Sequence, residues 1–377
     1  MTIDDAETPE APVTPDTPDT PDAPGTPVPL SASAGEEADE TTMPAWVQRR
    51  YGPAAGTRRE RIPVPRPREG EVLLRLEATA LNAGDVRIMA GDPLLVRPVF
   101  GLFRPRNPVR GMDVTGTVAA RGDGVADLRV GDAVVGELSG GGGLARFATV
   151  RADRLARRPD GVSAEVAACL PLAGGTAWQA WDLARVPGLS ADDPRPSSAP
   201  RVLVLGASGG VGLFAVQLAA LRGAEVWATC GERNRALVEG AGAVRVFDHR
   251  TVPLADLPAA SFDAVVDVAG GVPVRALQRL VHDGGSVVLV TGDGGPVLGP
   301  VPRMIRAAVV SIGSRRPVRS LAATPRPEVV AALLDLVAAG RLTPVVERVW
   351  GFAEAPAALA HLQTGHAAGK TVVRIDG

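Results

Sequence analysis

Apolar positions follow two different patterns along the chain. Between residues 201 and 290 they form short unbroken runs separated by turn residues. Residues 202–205 (VLVL), 225–229 (EVWAT), 244–247, 262–268 (FDAVVDV) and 286–290 (SVVLV) read as strands. Residues 213–221, 234–239 (closed by Gly240 and Gly242) and 274–281 read as helices. Strands apolar on both faces, alternating with helices, predict a parallel sheet covered on both sides. From Met43 to about residue 156 the pattern differs. Residues 71–78 (EVLLRLEA) alternate, and 111–138 break into short apolar pieces between glycines, continued at 147–150 and 154–156. Residues 44–62 hold Tyr51, the only tyrosine, at an expected strand end. This half predicts an all-β module, a partly closed barrel. A proline-rich loop at 186–200 precedes the first strand of the α/β half.

Residues 1–42 stand apart from both patterns. Text such as TPEAPVTPDTPDTPDAPGTPVP, followed by SASAGEEADE, holds almost no large apolar residue. It cannot bury enough surface to offset its ordering entropy, so a disordered acidic tail is expected. The full length of 377 residues leaves room for two domains beyond it. A net charge of −2 gives no general field for nucleic acid or a membrane surface. No apolar run is long enough to span a bilayer and no signal peptide opens the chain, so a cytoplasmic location is expected. The two cysteines, Cys169 and Cys230, exclude a disulfide framework and a four-cysteine zinc lobe. Of the 40 basic residues only Lys370 is a lysine.

The chemistry concentrates at residues 201–212, RVLVLGASGGVG. Strand, glycine turn and helix in that order make a dinucleotide-binding arrangement. Gly206, Gly209, Gly210 and Gly212, with Ser208 and Val211 between them, give a turn whose backbone a pyrophosphate can approach closely. The following helix presents free N–H groups and the positive end of its dipole. Val268, Ala269, Val290, Thr291 and Gly292 end strands at the carboxyl edge, where open α/β sheets bind ligands. The second strand ends at Thr229, Cys230 and Gly231 with no acidic residue to grip a ribose 2′-hydroxyl. Arg233 lies just beyond and offers a planar fork to a 2′-phosphate, which favours NADPH; Glu232 beside it leaves NADH open.

The motifs occur in a recognisable order. N-x-x-D-x-x-x-x-x-G (Asn82, Asp85, Gly91) precedes G-x-D-x-x-G-x-V (Gly111, Asp113, Gly116, Val118) and V-G-D-x-V (130–134). PLAGGTAWQA (171–180), GASGGVG (206–212), FDAVVDVAGG (262–271) and HAAGKTVV (366–373) follow. From about Trp46 to the C-terminus the chain resembles the medium-chain dehydrogenase/reductase superfamily. That resemblance implies a GroES-like β-barrel domain plus a Rossmann doubly wound parallel-sheet domain. The expected division is a tail at 1–42, the first part of the GroES-like catalytic domain at 43–175, the Rossmann domain at 176–315 and a return to the catalytic domain at 316–377.

Within the superfamily, zinc alcohol dehydrogenases carry a cysteine and a histidine–glutamate pair in the first two motif regions. Here Gly84-Asp85 and Gly111-Met112-Asp113 stand there, and the four histidines are scattered at 249, 282, 361 and 366. No tetrahedral ligand set is available, so the chain resembles the zinc-free quinone oxidoreductase and enoyl reductase branch. Cys169 reads as a packed helix residue. The resemblance implies that Asn82 and Thr176 face the nicotinamide; their structural readings are a turn asparagine and a helix-capping threonine. It also places His249 near the adenosine, while Lys370 reads as an anchor of the final strand and Asp85 as an internal hydrogen-bond acceptor. The catalytic tyrosine of some enoyl reductases has no counterpart; Arg87 and Ile88 occupy that stretch. Residues 297–319, with Arg303, Arg306, Arg315 and Arg316, should line the substrate pocket. The expected activity is zinc-independent hydride transfer from NADPH to an activated C=C bond or a quinone. An alcohol or carbonyl oxidoreductase and a non-catalytic NADPH-binding protein are the alternatives. The expected partners are a small-molecule substrate and a second copy in a homodimer, with no nucleic acid and no membrane.

Overall fold

The computed structural model describes residues 41–186, 199–290 and 295–375. The expected disorder of residues 1–40, most of the proline-rich loop, and Thr291 and Gly292 lie outside the described residues. Thr42, placed in the tail by composition, already begins a strand.

The chain opens with a hairpin, β1 (Thr42–Val47) and β2 (Arg58–Pro63), paired antiparallel. Tyr51 falls in the connection rather than at a strand end; its hydroxyl donates to the Gly101 carbonyl at 2.5 Å and the Arg97 guanidinium covers its ring. The long strand β3 (Glu71–Leu81) leads into α1 (Ala83–Ala90) and the short α2 (Arg97–Phe100). Strands β4 (Asp113–Arg121), β5 (Ala133–Glu137), β6 (Phe147–Arg151) and β7 (Leu155–Arg157) follow. Helices α3 (Ala164–Ala168) and α4 (Gly175–Ala184) then carry the chain to the second half.

Here β8 (Arg201–Leu205), α5 (Gly210–Leu221), β9 (Glu225–Cys230), α6 (Arg235–Gly240) and β10 (Arg245–Asp248) come first. They are followed by β11 (Phe262–Asp267), α7 (Val274–Leu280), β12 (Val281–Leu289), α8 (Val301–Ser311) and β13 (Val318–Ser320). The six strands are all parallel, in the order β10-β9-β8-β11-β12-β13. Counted along this half, that is 3-2-1-4-5-6, the doubly wound dinucleotide-binding topology. Val202, Val204, Val265 and Val266 are fully buried, as expected of strands covered on both faces.

The chain ends with α9 (Pro327–Ala338), β14 (Val346–Gly351), α10 (Ala355–Gln363) and β15 (Lys370–Arg374). β15 pairs antiparallel with β3, so the first sheet runs β14-β15-β3-β4-β5-β7, with β6 also on β3. The turn before β15 meets the glycine turn of the other half: the Gly369 N–H donates to the Ser208 carbonyl at 2.9 Å. This contact places the start of β15 in the site.

Candidate active site

A cleft of about 550 Å³ lies between the two sheets, at the point where the parallel strand order reverses from β8 to β11. Ligands of doubly wound sheets bind at such switch points. One wall is the glycine turn. Gly206 has φ +75°, a left-handed conformation that glycine adopts freely. A Cβ on Gly212 would fall 2.3 Å from the Gly206 carbonyl oxygen, so the turn and α5 can close together only on glycine there. A Cβ on Gly209 would meet nothing nearer than that oxygen at 3.6 Å. The space above Gly209 is open, and the first-turn N–H groups of α5 have no intrahelical acceptor. The turn is therefore shaped for a phosphate-bearing ligand. Gly206, Ser208, Gly209, Gly210, Val211, Ala269 and Val290 all line the cleft.

The facing wall is a buried polar cluster. Asn82 precedes α1 in extended conformation, and its backbone N–H donates to Asp85 at 2.9 Å. The Asn82 side chain serves the cluster: its amide donates to Asp113 at 2.9 Å, and its oxygen accepts from Lys370 Nζ at 2.5 Å. Lys370 also lies 3.3 Å from Asp113, and Leu172 N–H donates to the same carboxylate at 3.1 Å. Lys370 and Asp113 are 3% and 0% exposed, so each charge depends on the other. Burial pushes the Asp113 carboxyl up, and Lys370 and its hydrogen bonds oppose that shift. Asp85 is buried too, at about 6, and accepts N–H bonds from Asn82 and Gly111. Glu137, at the end of β5 opposite Asp113 in register, also lines the cleft. Burial raises its carboxyl to about 7, with Asp113 the next cause.

Thr176 lines this cleft as well, one residue inside α4; the cap is Gly174, which removes the capping reading of Thr176. Gly231, Arg233 and His249 sit away from the lining, where β9 ends on the same edge of the sheet. Glu232 is turned to Arg235 at 2.7 Å, which holds its carboxyl low. Arg233 reaches the His366 carbonyl at 2.5 Å, and His249 is exposed. Arg250, which sequence reasoning passed over, stands close by: its Nη2 would be 3.5 Å from a Cβ on Gly231.

Other expectations need correction. Lys370 is more than a strand anchor, since it joins the cluster at the cleft wall. The arginine-bearing segment does not line the cleft as a whole. Arg303 clamps Asp267 at 2.5 Å and the Gly270 and Val272 carbonyls. Arg315 and Arg316 pair with Asp283, at the opposite end of β12 from the cleft. Cys169 is buried as a helix-end packing residue, its thiol pushed up to about 12 by burial. Among the described residues no group of three or more His, Cys, Asp or Glu is placed to hold a metal ion.

This is the site and topology of a nicotinamide-dependent oxidoreductase. The alcohol dehydrogenase GroES-like domain family matches residues 68–160, and the zinc-binding dehydrogenase family matches residues 241–373. The chloroplast envelope quinone oxidoreductase homolog of Arabidopsis thaliana is 38% identical over 329 residues, 85% of this chain and 95% of that protein. A mitochondrial NAD(P)H oxidoreductase, RTN4IP1 of Danio rerio, is 32% identical over 90% of this chain and 92% of its own length. The solved quinone oxidoreductase of Coxiella burnetii superimposes with a TM-score of 0.78 at 26% identity, covering 89% of this chain and all of that one. The chain belongs to the medium-chain dehydrogenase/reductase superfamily, in its quinone oxidoreductase branch.

Proposed function

We propose that the protein is a zinc-independent, NADPH-dependent reductase acting on an activated C=C bond, as in an enone or enoyl group, or on a quinone. The observation that carries this reading is the cleft itself, with the glycine turn on one wall and Asn82, Thr176 and Lys370 on the other. When bound there, NADPH supplies the hydride; the protein supplies orientation and a cleft that limits water. The pyrophosphate belongs over Gly209 and Gly210, at the start of α5. The adenosine end belongs at the end of β9, beside Gly231, Arg233 and His249. Asn82 is held by Asp113 and Lys370, so its amide is fixed in direction, and the Thr176 hydroxyl stands on the same cleft. Both suit a nicotinamide ring or a substrate oxygen. The carboxamide edge of the ring belongs with Ala269 and Val290.

Zinc independence rests on the ligand chemistry. Asp85 is consumed by two backbone N–H groups and Asp113 by Lys370, Asn82 and Leu172, so neither offers a free lone-pair set beside a cysteine or histidine. NADPH preference rests on Arg233, and on Glu232 being engaged by Arg235.

The test is turnover of enones, quinones and alcohols with each cofactor, with and without a chelator. Chelator-insensitive reduction with NADPH is expected. Arg233→Ala should weaken NADPH by about ten- to a hundredfold, the range of a charge-assisted contact, and leave NADH nearly unchanged. Equal loss of both cofactors would mean that Arg233 only holds the 365–369 turn, and chelator-sensitive alcohol oxidation would overturn the zinc-free reading.

A further inference from the structure

Reducing a C=C bond or a quinone takes a proton as well as a hydride, and no tyrosine follows Asn82 to give it. We propose that Glu137, on the cleft wall opposite Asp113, is the acid that delivers this proton. The assignment rests on the reductase reading above.

Charge and hydrogen bonding both point to Glu137. Three carboxyls face one another across this wall: Asp85 on α1, Asp113 on β4 and Glu137 on β5. Two buried cations answer them, Lys370 on β15 and Arg110 just before β4. Arg154, in the turn before β7, and Lys370 both oppose the rise at Glu137; the Arg154 guanidinium is engaged with Ser139 and the Lys370 ammonium with Asn82 and Asp113. Asp85 accepts two backbone N–H bonds and Asp113 accepts three donors, and these bonds favour the ionised form of both against the effect of burial. The Glu137 carboxyl makes no hydrogen bond among the described residues. A carboxyl partly out of water, beside two further carboxyls and with no hydrogen bond to its side chain, is the one that keeps its proton. It retains it up to about pH 7. Lys370 is committed to Asn82 and Asp113, which leaves Glu137 as the free acid on the cleft.

The step balances. The hydride carries two electrons to the β-carbon of the enone. The C=C π bond breaks, and its electron pair moves toward the α-carbon and the carbonyl oxygen. That site takes the proton from the Glu137 O–H, leaving a carboxylate. Water at the open side of the cleft returns the proton. With a quinone, the same proton goes to a ring oxygen and the product is the hydroquinone.

The experiment compares the parent with Glu137→Gln, which keeps the shape and cannot donate as an acid, and with Glu137→Asp, which keeps the acid. The probe is 2-cyclohexenone with NADPH. The parent kcat/KM should fall about tenfold per pH unit above pH 7, because the acid must be protonated to act. Glu137→Gln should lose about a hundredfold or more at pH 6 and show a flat profile over that range. Glu137→Asp should recover part of the rate and restore the pH limb. NADPH affinity, read by its fluorescence, should be unchanged in both variants. Independently of turnover, the parent should show an infrared carboxyl C=O band titrating near pH 7 that is absent in Glu137→Gln. A Glu137→Gln enzyme with the parent rate and pH limb, or a Glu137 carboxyl already ionised at pH 6, would overturn the proposal. A parent that reduces neither enones nor quinones would sink the reductase reading first, and this assignment with it.

Discussion

Lys370 shows how much can hang on one side chain. It is the chain's only lysine, buried among Asn82 and Asp113 from 288 and 257 residues away. A buried charge whose partner is removed is far more costly than a pair replaced together. Lys370→Met should therefore destabilise the protein by about 3–5 kcal/mol at pH 8, where Asp113 would have to remain ionised alone. The loss should shrink at low pH as Asp113 takes up a proton, and Lys370→Met with Asp113→Asn should recover most of it. Thermal or urea unfolding across pH reads this directly; a loss under 1 kcal/mol at pH 8 would contradict the pairing. The sequence displayed both residues, inside G-K-T and G-x-D, yet gave no hint that they touch. Local spacing carries no information about a contact spanning most of the chain. Glu137 was invisible for the same reason: its meaning lies in the company of Asp113, Asp85 and Lys370, which come from three other elements. That Asn82 and Thr176 line one cleft was legible through motif resemblance, which carries tertiary placement that pattern reading lacks.

The strand–turn–helix of β8 and α5 was legible because its physics is local. Unbroken β-branched runs mark doubly covered strands, and glycines mark a turn without room for side chains. The structure separates the glycines by role. Gly212→Ala puts a Cβ 2.3 Å from the Gly206 carbonyl oxygen, so it should lower the melting temperature and weaken NADPH together. Gly209→Val enters open space and should leave melting nearly unchanged while abolishing NADPH binding. Calorimetry and fluorescence titration on both variants test this; NADPH binding unaffected in Gly209→Val would remove the turn from the site. β14 was not legible, because Glu347, Arg348 and Val349 are exposed and the strand has no clean alternation. The arginines after residue 300 were misread for a different reason. An arginine near a ligand edge looks the same in sequence whether it faces a substrate or, like Arg303, closes onto a buried aspartate.

The two halves make a site only because the chain returns. β15 joins β3 in the first sheet while the turn before it bonds the glycine turn of the second. One wall of the cleft thus comes from each sheet, and the 3-2-1-4-5-6 strand order sets the cleft at the reversal between β8 and β11. The topology follows from the alternation of strands and helices, but the closing contact between Gly369 and Ser208 joins segments 161 residues apart. Among the described residues no helix is long and apolar enough to cross a membrane. The central claim is that this cleft carries hydride from NADPH to an activated C=C bond or a quinone. The most direct measurement uses NADPH deuterated at C4 in each of its two stereochemical forms, with 2-cyclohexenone and a benzoquinone as acceptors. A cleft with one fixed ring face should transfer deuterium from one form only, to the β-carbon of the saturated ketone, with a primary isotope effect on kcat/KM for that form. The benzoquinone should show the isotope effect for the same form. Deuterium transfer from both forms alike, or no acceptor-dependent oxidation of either, would contradict the account.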